Sequence, residues 1–346
     1  MFVARMGHAR FALGLALTIL PASWAAGQPF LSIYEIQSNT IDGDASYYNY
    51  ATYGQLVDCT GGVVIFKRGG SRPRIMLLDP QYQDGWGGIQ VKDYNNIGAF
   101  DGVAVGDWVK LTNMEVEEYR GTTFLEWYTT NDPTLTITSS GNPLPPPIMV
   151  SVSDIPAPVY DPVDQTWFVE NHDAELYESM RLIVRDVTVT DMNLGKAEDN
   201  YVLENPQGES CWASDYLNAD KPAWEDYHDF VDVGVHFCAF AGLFEQYTKL
   251  SEDWDYYQLL SLSGVDLAIC GDGDNDGEVT LDDLPRFDEC LIGPMCNGIP
   301  GGCDPPAWTL PPVELPVQHC LMMDFSYDGD VDLGDFAGLQ SLIGVP

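Results

Sequence analysis

Two twelve-residue stretches near the C-terminus, DGDNDGEVTLDD (Asp272–Asp283) and DFSYDGDVDLGD (Asp324–Asp335), place oxygen side chains at positions 1, 3, 5, 9 and 12 and glycine at position 6. That is the donor layout of an EF-hand-type loop around a hard cation. Ca²⁺ takes roughly 6–8 oxygens at about 2.3–2.6 Å, so a short loop must wrap the ion and turn sharply halfway. Gly277 and Gly329 supply that turn, because glycine reaches backbone angles that strain other residues. In the first loop the expected ligands are the side chains of Asp272, Asp274 and Asp276, the carbonyl of Glu278, Thr280 directly or through water, and Asp283. In the second they are Asp324, Ser326, Asp328, the carbonyl of Asp330, Asp332 and Asp335. Two Ca²⁺ sites are expected, the second with a weaker donor at Ser326 where the first has Asp274.

Both loops close on aspartate where a common EF-hand uses glutamate, carry valine at position 8 (Val279, Val331), and precede one helical segment each, about 281–291 and 333–342. In these respects about the last 75 residues resemble the type I dockerin repeat. The resemblance implies that each calcium-loaded loop orients one helix. It also implies docking onto a cohesin-like or other extracellular protein partner through Leu281, Asp282, Leu333 and Gly334. A Cys/Pro/Gly-rich insert, about 293–318, separates the two segments and departs from the family pattern. Clustered aspartates repel one another without a counter-ion, so calcium removal is expected to melt this module and leave the rest folded.

These motifs sit in a chain built for export. Arg5 and Arg10 precede the apolar run Phe11–Leu20 and the small residues Ala22, Ala25 and Ala26, which is the pattern of a secretory signal peptide. The run is too short to span a membrane, and no later segment approaches about 20 apolar residues. The expected location is extracellular or at the cell surface, where calcium is abundant and disulfides persist. Of eight cysteines, Cys290 with Cys320 and Cys211 with Cys238 are the preferred pairs, and Cys59 reads as a buried thiol. The formal charge is −38, and loss of Arg5 and Arg10 takes it to −40. Such a surface repels phosphate backbones and argues against nucleic acid as a partner.

The stretch between signal and loops reads as mainly β, in two units that repeat each other. VGDWVKLTNMEVEEY (Val105–Tyr119) aligns without gaps on VGVHFCAFAGLFEQY (Val233–Tyr247) at an offset of 128. LVDCTGGVVIF from Leu56 matches RLIVRDVTVTD from Arg181, IMLLDP (Ile75–Pro80) matches YVLENP (Tyr201–Pro206), and GIQVKDY (Gly88–Tyr94) matches SCWASDY (Ser210–Tyr216). Short alternating runs broken by Gly, Asp, Asn and Pro give about five strands per unit. Their order, with IYEIQ (Ile33–Gln37), the VAVGDWV turn, VEEYRGTTFLEW (Val116–Trp127) and GNPLPPPIMVSVSDI (Gly141–Ile155), resembles tandem OB-fold-like domains of exported bacterial proteins. A β-sandwich is the other architecture that the strand pattern allows. The division expected is signal peptide 1–27, OB-like domain 28–141, stiff Pro-rich linker 142–150, OB-like domain 151–269 and calcium module 270–346.

No GxSxG elbow, HExxH or phosphate loop occurs, so no catalytic residue is assigned and the expectation is a non-enzyme. OB-folds bind ligands across the face of strands 2 and 3, which in the first unit would bring Tyr82, Trp86 and Tyr94 to a ligand. Carbohydrate is the ligand class that the charge tolerates. The expected function is an exported calcium-binding protein that docks to a partner or assembly, with the OB-like domains as ligand-binding units. The alternative is a secreted enzyme or accessory subunit for polysaccharide or nucleic-acid degradation.

Overall fold

The computed structural model describes residues 30–38, 54–70, 73–119, 121–192, 200–214, 231–249, 254–262, 267–274, 276, 278–291, 320–327 and 331–343. The signal segment 1–27 and the insert 293–318 lie outside these.

Alternating apolar residues turn seven stretches into strands of a first sheet: β1 (Phe30–Leu31), β2 (Leu56–Arg68), β3 (Arg74–Leu78), β4 (Gly88–Lys92), β5 (Trp108–Tyr119), β6 (Thr122–Glu126) and β7 (Thr134–Ser139). β2, β3 and β4 form an antiparallel meander, β4 runs parallel to β6, and β6 pairs with β5, which returns to β2. Five strands thus close into a barrel with the OB-fold topology, which excludes the sandwich reading. Closure needs β2 to bend from one partner to the other. Gly61 and Gly62 permit this, since a Cβ would fall 1.6 Å from Val109 O at Gly61 and 2.6 Å from Leu78 O at Gly62. The interior holds Val57, Val64, Ile75, Leu77, Ile89, Val91, Val109, Leu111 and Leu125. Ile33 and Ile36 also reach it, from the short helix α1 (Ile33–Gln37) that a Ser32–Glu35 capping box starts.

The second sheet repeats the first. Its strands are β8 (Ile148–Met149), then β11 (Arg181–Met192), β12 (Asn200–Glu204), β13 (Ser210–Ser214), β14 (His236–Lys249), β15 (Trp254–Leu260) and β16 (Leu267–Ile269); a separate hairpin, β9 (Val159–Asp161) with β10 (Thr166–Phe168), precedes β11. The registers correspond at the ends of the paired strands. Leu56 faces Glu115 as Arg181 faces Leu243, Arg74 faces Lys92 as Asn200 faces Ser214, and Lys92 faces Glu126 as Ser214 faces Leu260. A one-residue slip would turn every side chain to the wrong face, so this agreement places the aligned sequence segments on equivalent strands.

The barrels are packed together. Ile65, Phe66, Met76 and Leu78 of the first join the apolar cluster of the second, with Met180, Leu243 and Phe244. Thr122 Oγ1 donates to Gln246 O at 2.7 Å, and Trp86 N donates to Leu176 O at 2.5 Å. The outer face of β3, β4 and β6, with Met76, Leu78, Gln90 and Phe124 all buried, is the contact surface. The corresponding outer face of the second barrel, with Val202, Trp212, Trp254 and Tyr256, lies under Trp167 of the hairpin; Trp167 and Trp212 ring centroids are 5.0 Å apart.

Beyond β16 come α2 (Leu284–Cys290) and α3 (Leu333–Leu342). A 3₁₀ turn, Leu281–Asp283, precedes α2, and Pro285 stands in its first turn, where proline is tolerated. Phe287, Leu321, Met322, Met323, Val331 and Leu339 pack on Ile183, Ala239, Ala241 and Ala268 of the second barrel in one core cluster. The small alanines leave room for the larger side chains. A disulfide joins Cys290 to Cys320. The expected Cys211–Cys238 pair is corrected: Cys238 bonds Cys270, and Cys211 is a free buried thiol, like Cys59. Alternation along β13 turns Cys211 into the barrel core, whereas Cys238 stands on the outer side of β14, 4.0 Å from the Tyr327 hydroxyl.

Candidate calcium loops and their neighbours

The described residues of the two acidic loops make matching hydrogen bonds. Asp274 N donates to Asp283 Oδ1 (3.2 Å) and Thr280 N to Asp283 Oδ2 (2.6 Å). Fifty-two residues on, Ser326 N donates to Asp335 Oδ1 (2.8 Å) and Asp332 N to Asp335 Oδ2 (2.8 Å). Thr280 caps the turn before α2 and Asp332 caps α3, each through its own side chain. The position-12 aspartate therefore ties the start of each loop to the start of the helix that follows.

The donor atoms suit a hard cation. Asp272, Asp274 and Asp276 each offer a carboxylate oxygen, all within 4.8 Å of one another. Asp272, Asp283, Asp324 and Asp335 are no more than 2 % exposed. Of the three gathered carboxylates Asp272 is buried and Asp274 and Asp276 are exposed. An all-oxygen set fits Ca²⁺ and does not fit the thiolate and imidazole preference of softer metals. Glu278 is exposed and Thr280 half-buried at the loop mouth; Ser326 is exposed; Asp328 and Asp330 lie outside the described residues. Leu281, Asp282, Leu333 and Gly334 are all exposed, the two leucines at 66 % and 77 %.

The second loop also meets a residue that its own sequence does not announce. Arg185 of β11 places Nη1 2.9 Å from Asp324 Oδ2 and Nη2 3.2 Å from Asp324 O, with Nε 3.3 Å from Cys238 O. Its guanidinium lies 5.0 Å from the Tyr327 ring, whose hydroxyl donates to Asp186 Oδ1 at 2.9 Å.

The three candidate ligand aromatics are not gathered into one site. Tyr82 stacks on Tyr34 (4.7 Å), Trp86 sits at the seam between barrels, and Tyr94, 61 % exposed, lies 5.7 Å from Tyr128. The seam instead holds acids. Glu178 accepts from Thr123 N at 3.1 Å with both oxygens, and Glu175 accepts from the Tyr257 hydroxyl at 2.8 Å. Burial pushes the Glu175 carboxyl up to about 8 and raises that of Glu178 well above the usual range. His172 Nδ1 is 3.1 Å from the Tyr257 hydroxyl, and its Nε2 is 3.8 Å from Asp255.

No family model and no curated protein matches the chain. Among solved structures it is similar to fission yeast Pot1 with ssDNA (13 % identity, 67 % of this chain and 83 % of that one, TM-score 0.26). A murine DNA-binding protein bound with ds DNA gives 11 % identity over 59 % and 89 %, with TM-score 0.26. A replication protein A heterotrimer bound to ssDNA gives 10 % identity over 67 % and 68 %, with TM-score 0.21. At these scores the likeness is too slight to carry the fold, which rests on the strand pairing.

Proposed function

We propose that the protein is an exported, non-catalytic calcium-binding protein whose C-terminal dockerin-like loops hold two Ca²⁺ ions and present an exposed leucine pair to an extracellular partner. The observation that supports this best is the repeated set of hydrogen bonds, fifty-two residues apart, that backbone N–H groups make to the buried Asp283 and Asp335. Calcium would supply the charge that these carboxylates need and set the direction of α2 and α3. Leu281 and Leu333 stand at position 10 of the two loops, so one partner surface could engage either.

The β domains act in this reading as a rigid carrier. Their β3–β4–β6 face and its counterpart are covered within the chain, which leaves Tyr94 as the exposed ring of the three candidates for a carbohydrate contact. Charge still argues against nucleic acid. Docking is tested with an immobilised cohesin domain. Calcium-dependent retention, reduced at least about tenfold by Leu281→Asp with Leu333→Asp and without change in melting temperature, is expected for exposed interface anchors. Equal retention of the double variant would remove these leucines from the interface.

A further inference from the structure

Tyr94, 61 % exposed, is a large ring that the fold leaves in solvent, and the groups behind it are acidic. Glu115, Glu117 and Glu126 share the outer face of β5 and β6. Glu115 pairs in register with Glu126, Glu117 lies two residues along, and Met114, Val116 and Leu125 between them fill the barrel. Tyr128, two residues after Glu126, lies 5.7 Å from Tyr94 ring to ring and donates its hydroxyl to Glu117 Oε1 at 3.3 Å. Asn131 Nδ2 donates to Glu115 Oε2 at 3.0 Å. Burial, then the charges of Glu117, Glu126 and Glu115, push the Tyr128 phenol up, so all three acids lie around that ring. Glu126 is 3 % exposed, stands beside the Tyr94 peptide N–H, and has no hydrogen-bond partner at Oε1. Lys92, its neighbour on β4, turns Nζ over the Phe124 ring, 3.5 Å from the centroid, and shares its charge with Glu245 and Glu178 of the second barrel. A buried acid next to the two tyrosines is thus left incompletely matched.

The platform is preformed. Asp93 Oδ2 accepts from Ile97 N (2.9 Å) and Ala99 N (3.2 Å), and Asn95 Nδ2 donates to Thr129 Oγ1 (3.4 Å), which ties the loop after β4 to the turn after β6. Little ordering opposes a ligand that lands there. An aromatic face packs against the C–H face of a pyranose and also attracts cations, the more so with carboxylates beside it. A sugar ring that bears an ammonium satisfies both. We propose that Tyr94 and Tyr128, with Glu115, Glu117 and Glu126, form a binding site for an amino-sugar polymer, its pyranose rings stacking on Tyr94 and its free amines meeting the carboxylates. This rests on the carbohydrate contact proposed above and narrows it to a cationic sugar. None of these residues belongs to the two acidic loops.

The experiment is calorimetric titration of the full chain, in mildly acid buffer with calcium and about 0.15 M salt, with glucosamine hexamer, N-acetylglucosamine hexamer, cellohexaose and hexalysine. Glucosamine hexamer is expected to saturate and to bind at least about tenfold tighter than the other three, since only it joins ring and charge. Tyr94→Ala should weaken it about tenfold, as should Glu115→Gln with Glu117→Gln, while Tyr94→Phe, which keeps the ring, should bind as the parent does. Equal affinity for the acetylated hexamer, still lost in Tyr94→Ala, would overturn the need for charge and leave a neutral-sugar site. Binding that Tyr94→Ala leaves unchanged, or that hexalysine matches, would overturn the site and mark loose attraction to an acidic surface. Absence of binding by every sugar would overturn the carbohydrate contact itself.

Discussion

Glu175 holds a proton that a glutamate in water would have lost at neutral pH. Burial raises its carboxyl to about 8, with Glu118 and Asp255 adding repulsion and the Tyr257 hydroxyl partly offsetting it. The sign follows from linkage. A carboxyl raised from 4.5 to about 8 binds its proton more tightly in the folded state, so folding takes up a proton between those values. The contribution of Glu175 to stability is therefore greatest in acid, falls as pH rises from 4.5 to 8, and is flat above. Glu175→Gln, which keeps a neutral hydrogen-bonding side chain, should be more stable than the unsubstituted protein at pH 8, with the gap closing toward pH 4.5. Denaturant midpoints across that range check this, and parallel curves would contradict it. Neither Glu175 nor Arg185 could be singled out from sequence. Their environments are made by residues far along the chain, Tyr257 for one and Asp324 for the other. Asp283 and Asp335 were legible because their backbone partners lie within ten residues.

Each segment of the internal alignment falls on a strand, β2 to β5 in the first barrel and β11 to β14 in the second, because period-2 burial and the breaking Gly and Pro residues are local signals. What remained unread was the stretch between β8 and β11, which folds as a hairpin and a 3₁₀ turn and covers the outer faces of both barrels. Its role depends on fit to distant surfaces. Gly88 shows how close that fit is: a Cβ there would lie 2.5 Å from the Ser179 carbonyl carbon. Gly88→Val should force the barrels apart at this strand and destabilise the protein by about 1–3 kcal/mol, the usual penalty of overpacking. Thermal melting measures the loss, and small-angle scattering measures the separation. A variant as stable and compact as the parent would show that the seam is soft.

At the scale of the molecule, the C-terminal module is part of the second barrel rather than a tethered appendage. Ile183, Ala239, Ala241 and Ala268 on the barrel and Phe287, Met323, Val331 and Leu339 beyond it form one cluster, reinforced by the Cys238–Cys270 bond. A shared core transmits stability across its boundary. This changes the expectation drawn from sequence that chelation melts the module and spares the β domains. Chelator should lower the stability of the second barrel together with the module, by about 4 kcal/mol for each site at which calcium stands at about a thousand times its Kd. Hydrogen exchange on β11 and β14 with and without chelator reads this directly, and protection there that ignores calcium would separate the two units.

Calcium titration of the chelator-treated full chain at about 0.15 M salt, where loose attraction to an acidic surface is screened, tests the central claim most directly. The account predicts two saturable sites of unequal affinity, the tighter lost in Asp272→Ala and the weaker in Asp324→Ala. Unsaturable binding that both variants leave unchanged would contradict it and return the two loops to the status of acidic turns.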